Sequence, residues 1–244
     1  MPMSYIFREH IKQSLAVIAF LMTLTACTSE SYDAGDGPNS YLTADLVLLH
    51  TSQDKSVRSA LLDDGSTLQF SNPFAQDWLT RPDSVYRALL YYDKTVAASD
   101  AAASNPMATS IVRARSVRPV SVLRPVEAED MKTLRTDPVG FESIWLSKNK
   151  SYINLSLLLK SGKTEVDDAL HALGIVSHGT TTGADRRRTL HLTLYHDQGG
   201  VPAYYTVQQY VSIPTQLLEE ADTVELTLNT YNGKKVMKVA VSNL

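Results

Sequence analysis

From Tyr41 to Val241 the chain repeatedly alternates apolar and polar residues with a period of two, the pattern of strands that bury one face. Leu42, Ala44, Leu46 and Leu48 share one parity against Tyr41, Thr43 and Asp45, which predicts a half-buried strand with those four on its core face. Ser56–Leu62 and Ser66–Phe70 flank Asp63-Asp64-Gly65, where Asp-Gly supplies the positive φ angles of a tight hairpin. Residues 71–82 hold two prolines and Trp78 and read as a loop, after which Val85–Asp93 resumes an aromatic, apolar strand. Val96–Ala108 is small, polar and a poor core former, hence an exposed connection. Ile111–Leu123 reads as one long bent strand, with Pro119 and Pro125 confining it to an edge or ending it. Five strands result.

Residues 127–138 turn charged and close on Asp137-Pro138, which marks a linker between domains at 41–126 and 139–244. Beyond it, Ile153, Leu155, Leu157 and Leu159 share one face, as do Leu190, Leu192 and Leu194. Tyr205, Val207, Val211 and Ile213, then Val224, Leu226 and Leu228, and finally Met237, Val239 and Val241 repeat the theme. Turns at Gly199-Gly200 and Asn232-Gly233 separate them, so an antiparallel sandwich is expected. Ser161-Gly162-Lys163 reads as a further hairpin turn, and 217–221 as one helical turn. No repeat of fixed period occurs, and no amphipathic stretch is long enough for a coiled coil.

The start of the chain breaks this pattern. Arg8 and Lys12 precede Leu15–Thr25, an uncharged run too short for the roughly 20 apolar residues of a spanning helix, so residues 1–26 read as a signal peptide. The run ends in Leu24-Thr25-Ala26-Cys27, which resembles the bacterial lipobox. Cys27 is the only cysteine of 244 residues, and a thiol there is the nucleophile that a diacylglycerol thioether requires. Two or three acyl chains at ~0.8 kcal/mol per buried CH₂ anchor a protein almost permanently. Thr28 stands where an inner-membrane retention signal places Asp, which favours the outer membrane, on its periplasmic or cell-surface face. Residues 27–40 are polar with Gly and Pro and read as a lipidated tether.

Composition narrows the chemistry. The net charge of −3 offers no basic excess for nucleic acid, and a single thiol excludes an intramolecular disulfide or a CxxC site. His191 and His196 lie five apart on one predicted strand and therefore face opposite ways, while His171 and His178 are seven apart; none forms HxxxH, and no metal site is expected. No G-x-S-x-G elbow occurs, although a triad assembled in three dimensions stays open. Gly162-Lys163-Thr164 lacks the upstream glycine of a phosphate loop, since Leu157 stands there. Asp63 and Asp64 are explained by their turn. Arg113, Arg115, Arg118 and Arg124 form a basic strip or a solvated edge that discourages pairing. Tyr41, Tyr86, Tyr91 and Tyr92 are stacking platforms for sugars or packed side chains. Asp83-Ser84-Val85 and Asp222-Thr223-Val224 resemble the Asp-Ser/Thr-apolar O-glycosylation motif, with Ser84 and Thr223 as acceptors.

Together with the lipobox and tether, Leu61-Leu62-Asp63-Asp64-Gly65-Ser66-Thr67-Leu68, Ser151-Tyr152-Ile153-Asn154-Leu155, His171-Ala172-Leu173-Gly174-Ile175, the run Leu190–His196, Tyr210-Val211-Ser212-Ile213 and Thr230-Tyr231-Asn232-Gly233 resemble the NigD-like lipoproteins of Bacteroidetes. The resemblance implies an all-β protein, with an N-terminal OB-like five-stranded barrel followed by a C-terminal antiparallel β-sandwich. It also implies a link to bacteriocin immunity. The expected function is that of a non-catalytic envelope lipoprotein that binds an envelope protein or a glycan, without a cofactor. A bacteriocin immunity lipoprotein and an envelope hydrolase with a site between the domains are the alternatives.

Overall fold

The computed structural model describes residues 42–94, 110–163, 170–218 and 221–241. Cys27, the signal and tether segments, Tyr41 and the 96–108 connection lie outside these residues. The described chain is all-β, with short 3-10 turns at Ala128–Asp130 and Thr215–Leu217. Its first five strands are β1 (Leu42–Thr51), β2 (Val57–Leu62), β3 (Thr67–Phe74), β4 (Val85–Lys94) and β5 (Ser110–Pro119). They close into a barrel in the order β1-β2-β3-β5-β4, with β3 and β5 parallel and the other pairs antiparallel, the connectivity expected of an OB-like barrel. The Asp63-Asp64-Gly65 hairpin forms as predicted: Gly65 takes φ +90°, its N–H donates to the Leu62 carbonyl at 3.0 Å, and Asp64 accepts from Ser66.

The barrel core gathers Val47, Leu49, Val57, Ala60, Phe70, Leu90 and Tyr92. On β1 the core face is therefore the odd parity, opposite to the expected Leu42, Ala44, Leu46 and Leu48. Leu-Val-Leu-Leu at 46–49 is apolar on both faces because both are covered: Val47 and Leu49 point inward, while Leu46 packs with Leu89 and Val120 in a separate outer cluster. β3 runs on to Phe74, into the segment expected to be loop. The predicted 111–123 strand breaks at Val120, after Pro119, into β5 and β6 (Ser121–Val122). With β3 on one side and β4 on the other, β5 is no edge, and its arginines need no role in preventing sheet pairing.

The remaining strands are β7 (Pro125–Glu127), β8 (Gly140–Leu146), β9 (Tyr152–Ser161), β10 (Ala172–Thr182), β11 (Arg188–Asp197), β12 (Tyr205–Pro214), β13 (Thr223–Thr230) and β14 (Gly233–Ala240). One sheet has the order β14-β13-β11-β10-β7 and the other β6-β12-β9-β8. Between them lies the core of Ile153, Leu155 and Leu157 on β9, Leu190, Leu192 and Leu194 on β11, Val211 and Ile213 on β12, and Val224, Leu226 and Leu228 on β13. The sandwich is mainly antiparallel, with parallel pairings at β7/β10, β6/β12 and β11/β13. Because β6 and β7 pair with its sheets, the sandwich takes in residues from Ser121, upstream of the charged break at 127. Ser161-Gly162-Lys163 is not a hairpin turn, since β9 and β10 belong to different sheets. Of the expected helical turn at 217–221, residues 219–220 lie outside the described residues, and a 3-10 turn forms at Thr215–Leu217.

Candidate functional site

Strand alternation positions the site. On β4, Ala88, Leu90 and Tyr92 point into the barrel, so Arg87, Leu89 and Tyr91 point out. On β9, Asn154 and Ser156 alternate with the core leucines, and register sets Trp145 of β8 opposite Asn154 and Tyr210 of β12 opposite Ser156. The outward face of β4 thus meets the polar face of the β6-β12-β9-β8 sheet, within a single unit that runs from Tyr41 to Leu244.

Arg87 fastens this junction. Its guanidinium donates to both oxygens of Asp63 at 2.6 and 2.7 Å, to Asn154 Oδ1 at 3.0 Å and to Ser212 Oγ at 3.1 Å. Asn154 donates to Asp63 at 2.9 Å, and Ser212 to Asn154 at 2.7 Å. The guanidinium also lies 4.3 Å from the Tyr152 ring centroid. A fully buried arginine side chain is tolerable only with such complete satisfaction. Asp63, explained at first by its turn, is therefore also the tie between barrel and sandwich.

Next to this tie the two halves leave a cleft. A cavity of 260 Å³ is lined by Asp45 and Leu46 of β1, Tyr91 of β4, Asp63, Trp145 and Tyr210. A second, of 190 Å³, shares Asp45, Asp63 and Trp145 and continues to Asp64 and Lys148. Trp145 and Tyr210 meet edge to face at 6.4 Å. Asp45 accepts the Tyr92 hydroxyl at 2.7 Å, and burial together with this carboxylate pushes the Tyr92 phenol well above its ordinary value. Burial of Asp64 would raise its carboxyl, but the Ser66 hydroxyl and N–H more than offset it and the result is below the usual range. Aromatic faces beside carboxylate acceptors suit a sugar ring, whose C–H face stacks while its hydroxyls donate.

The other proposed platforms separate. Tyr91 lines the cleft, Tyr92 is core, and Tyr86 packs edge on against Trp78 at 5.8 Å while its hydroxyl accepts from the Arg81 N–H. Of the basic strip, Arg115 pairs with Asp93 and Arg118 lies 6.0 Å from the Tyr91 ring centroid. Ser84 is half-buried as a residue and its hydroxyl donates to the Pro82 carbonyl in an exposed hydrogen bond, and Thr223 is the half-buried first residue of β13.

The histidines assemble in ways that spacing along the chain did not reveal. His171 and His196 stack with Nδ1 of the first 3.0 Å from Nε2 of the second. On the outer face of the five-stranded sheet, Thr181 Oγ1 lies 2.8 Å from His191 Nε2, and His191 Nδ1 lies 3.2 Å from Glu225 Oε1. Lys238 and then His191 hold the Glu225 carboxyl below its usual range. His178, His191 and Glu225 line a 500 Å³ groove there. This is the residue order of a hydroxyl–base–carboxylate chain, but both neighbours of Thr181 in the ladder are strand residues, and the Gly179 N–H nearby is directed to Ser177 Oγ. Among the described residues no three His, Cys, Asp or Glu side chains are grouped to hold a metal, and no helix is long and apolar enough to cross a membrane.

Comparison with solved structures places the whole described fold. A NigD-like immunity protein from Bacteroides caccae is 22% identical, with a TM-score of 0.59 over 81% of this chain and 91% of that one. A protein of unknown function from Bacteroides vulgatus is 16% identical, with a TM-score of 0.57 over 82% and 92%. A candidate lipoprotein from Bacteroides fragilis is 13% identical, with a TM-score of 0.59 over 83% and 98%. At these identities the likeness is one of fold. No curated protein sequence matches the chain. Residues 122–241 match the NigD-like C-terminal beta sandwich domain, a span that begins where β6 joins the sandwich rather than at the charged linker. The chain therefore carries a NigD-like C-terminal beta sandwich domain, within a two-part fold that resembles that of a NigD-like immunity protein.

Proposed function

We propose that this protein is a lipid-anchored, non-catalytic binding protein of the bacterial outer membrane, and that a glycan docks in the cleft beside Trp145. The observation that carries the reading is the cleft itself: Trp145, Tyr91 and Tyr210 stand beside Asp45 at a junction held rigid by Arg87. Binding sites gain from such preorganisation because little freedom is lost on docking. The anchor rests on Leu24-Thr25-Ala26-Cys27, and the candidate lipoprotein of the same fold supports it. Calorimetric titration of the mature chain with envelope oligosaccharides tests the reading. Binding lost in Trp145→Ala, with unfolding unchanged, is the expected result; no binding by the wild type would overturn it. Cys27→Ser is expected to move the protein from the membrane to the soluble fraction or to leave an unprocessed precursor. The same preparation, examined by intact mass, tests modification at Ser84 and Thr223: polypeptide plus lipid alone dismisses it.

Two other readings have an observation behind them. The Thr181–His191–Glu225 chain is where a hydrolase would reside, on the outer sheet face rather than between the domains. Ester or glycoside turnover that disappears in His191→Ala would replace the binding reading. The NigD-like immunity protein of the same fold supports an immunity role; if that role is protection against a bacteriocin, deletion of the gene sensitises cells to a toxin encoded nearby.

A further inference from the structure

Resting on the reading of the cleft as a glycan site, we propose that its ligand is an amino sugar, with the protonated amine against Asp45 and the ring stacked on Trp145. Cavities for drug-sized ligands run about 300–1,000 Å³. The 260 Å³ space beside Trp145 is smaller and matches one sugar unit, and the adjoining 190 Å³ space, which shares Asp45 and Trp145, admits the next.

The charges decide the class. Asp63 is already neutralised by the two-pronged contact from Arg87 and is further bonded to Asn154. Asp64 accepts from Ser66 and shares its cavity with Lys148. Asp45 differs in its bonds: among the described residues it receives the Tyr92 hydroxyl and forms no ion pair, Lys148 lines only the smaller cavity that Asp45 and Asp64 share, and no lysine, arginine or histidine lines the larger one. A half-buried carboxylate without a counter-charge favours a ligand that brings one, and the low local dielectric strengthens the attraction. The aromatic walls act in the same direction, since an ammonium group is drawn to the face of Trp or Tyr. Uronic acids and sulfated sugars are repelled by the same carboxylate. A lysine side chain carries the same ammonium but has no ring to cover the indole, which is why a glycan rather than a peptide is favoured.

The test is calorimetric titration of the mature, detergent-solubilised protein with oligomers of glucosamine, N-acetylglucosamine, glucose and galacturonate, and with trilysine. Glucosamine oligomers are expected to bind about tenfold or more tightly than the acetylated and neutral series, as a charge-assisted hydrogen bond provides, and to weaken as salt rises. Galacturonate and trilysine are expected not to bind. Asp45→Asn keeps an acceptor for Tyr92 and should erase the preference for the amine, whereas Trp145→Ala should abolish binding of every oligomer; thermal unfolding of both variants establishes that they fold. Equal affinity for neutral and amino oligomers, or a preference that survives Asp45→Asn, overturns this inference while the cleft remains a glycan site. Trilysine binding as tightly as glucosamine overturns it in favour of a peptide ligand. No oligosaccharide binding at all overturns both readings.

Discussion

His171 and His196 illustrate how much a single pair of side chains settles. The Asp137 carbonyl can only accept, so His196 carries its proton on Nδ1, 3.0 Å from that oxygen, and offers Nε2 as an acceptor. His171 then donates through Nδ1, and its own Nε2 is left buried without a hydrogen bond. Burial, and next the neighbouring His196, lower the His171 pKa from its ordinary 6.5, partly offset by the Lys160 carbonyl. The unfolded chain therefore takes up the proton more readily than the folded one. The resulting stability is present above about pH 6.5 and is lost as pH falls through the lower, folded value. Urea midpoints are expected to drop modestly from pH 8 to pH 5, and His171→Phe, which keeps a ring against His196, should flatten that decline. A second loss belongs to lower pH, because hydrogen bonds from Ser56 and Ser52 pull exposed Asp54 down to about 2. The histidine pair was not legible in the sequence: spacing arguments compare residues on one strand, and these two are brought together by the β10/β11 ladder, 25 residues apart.

At the scale of elements, local pattern was a good guide to where strands lie and a poor one to what their polar faces meet. Ile153, Leu155, Leu157 and Leu159 alternate on β9 as read, and all enter the sandwich core. Asn154 and Ser156 between them look like solvent positions, yet they are 0% and 2% exposed: Asn154 is bonded to Arg87 and Asp63 of the barrel, and Ser156 to Glu142 and Gln208 of the two flanking strands. A period of two reports alternation, not what covers each face. β8 was missed because its register shifts between Phe141 and Ser143, which breaks the alternation. Its first residue provides a test. A Cβ on Gly140 would sit 2.7 Å from Leu158 Cβ and 3.2 Å from the Leu158 carbonyl oxygen, so β8 and β9 are in contact there without room for a methyl. Gly140→Ala is expected to cost about 1–3 kcal/mol as overpacking, read as a lower urea midpoint. Gly65→Ala meets no atom within 4 Å but needs φ +90°, so its cost should come from backbone strain alone.

The barrel and the sandwich were each legible because their turns and alternation are local, but the polar part of their union centres on one arginine whose partners lie 24, 67 and 125 residues away. No window of sequence contains that network. Its energetic consequence follows from asymmetry: forming a buried ion pair contributes little net stability, whereas removing one partner leaves the other desolvated and unpaired. Asp63→Ala strands Arg87, whose side chain is 0% exposed, and should cost about 3–5 kcal/mol, toward the lower end because Asp63 itself is 20% exposed. The chain's two tryptophans separate the parts, with Trp78 packed against the barrel core and Trp145 on the sandwich side of the cleft. In the wild type both should report one cooperative urea transition, since the halves share the Arg87 network and the Leu46–Leu89–Val120 cluster. In Asp63→Ala the transitions sensed by the two tryptophans should move apart, because the junction fails before either core does. Combining Asp63→Ala with Arg87→Met removes the stranded charge and should recover part of the loss, so the double variant should be more stable than the single one. A double variant less stable than Asp63→Ala would mean that Arg87 is held mainly by Asn154, Ser212 and the Tyr152 ring, and that Asp63 is the dispensable member of the tie.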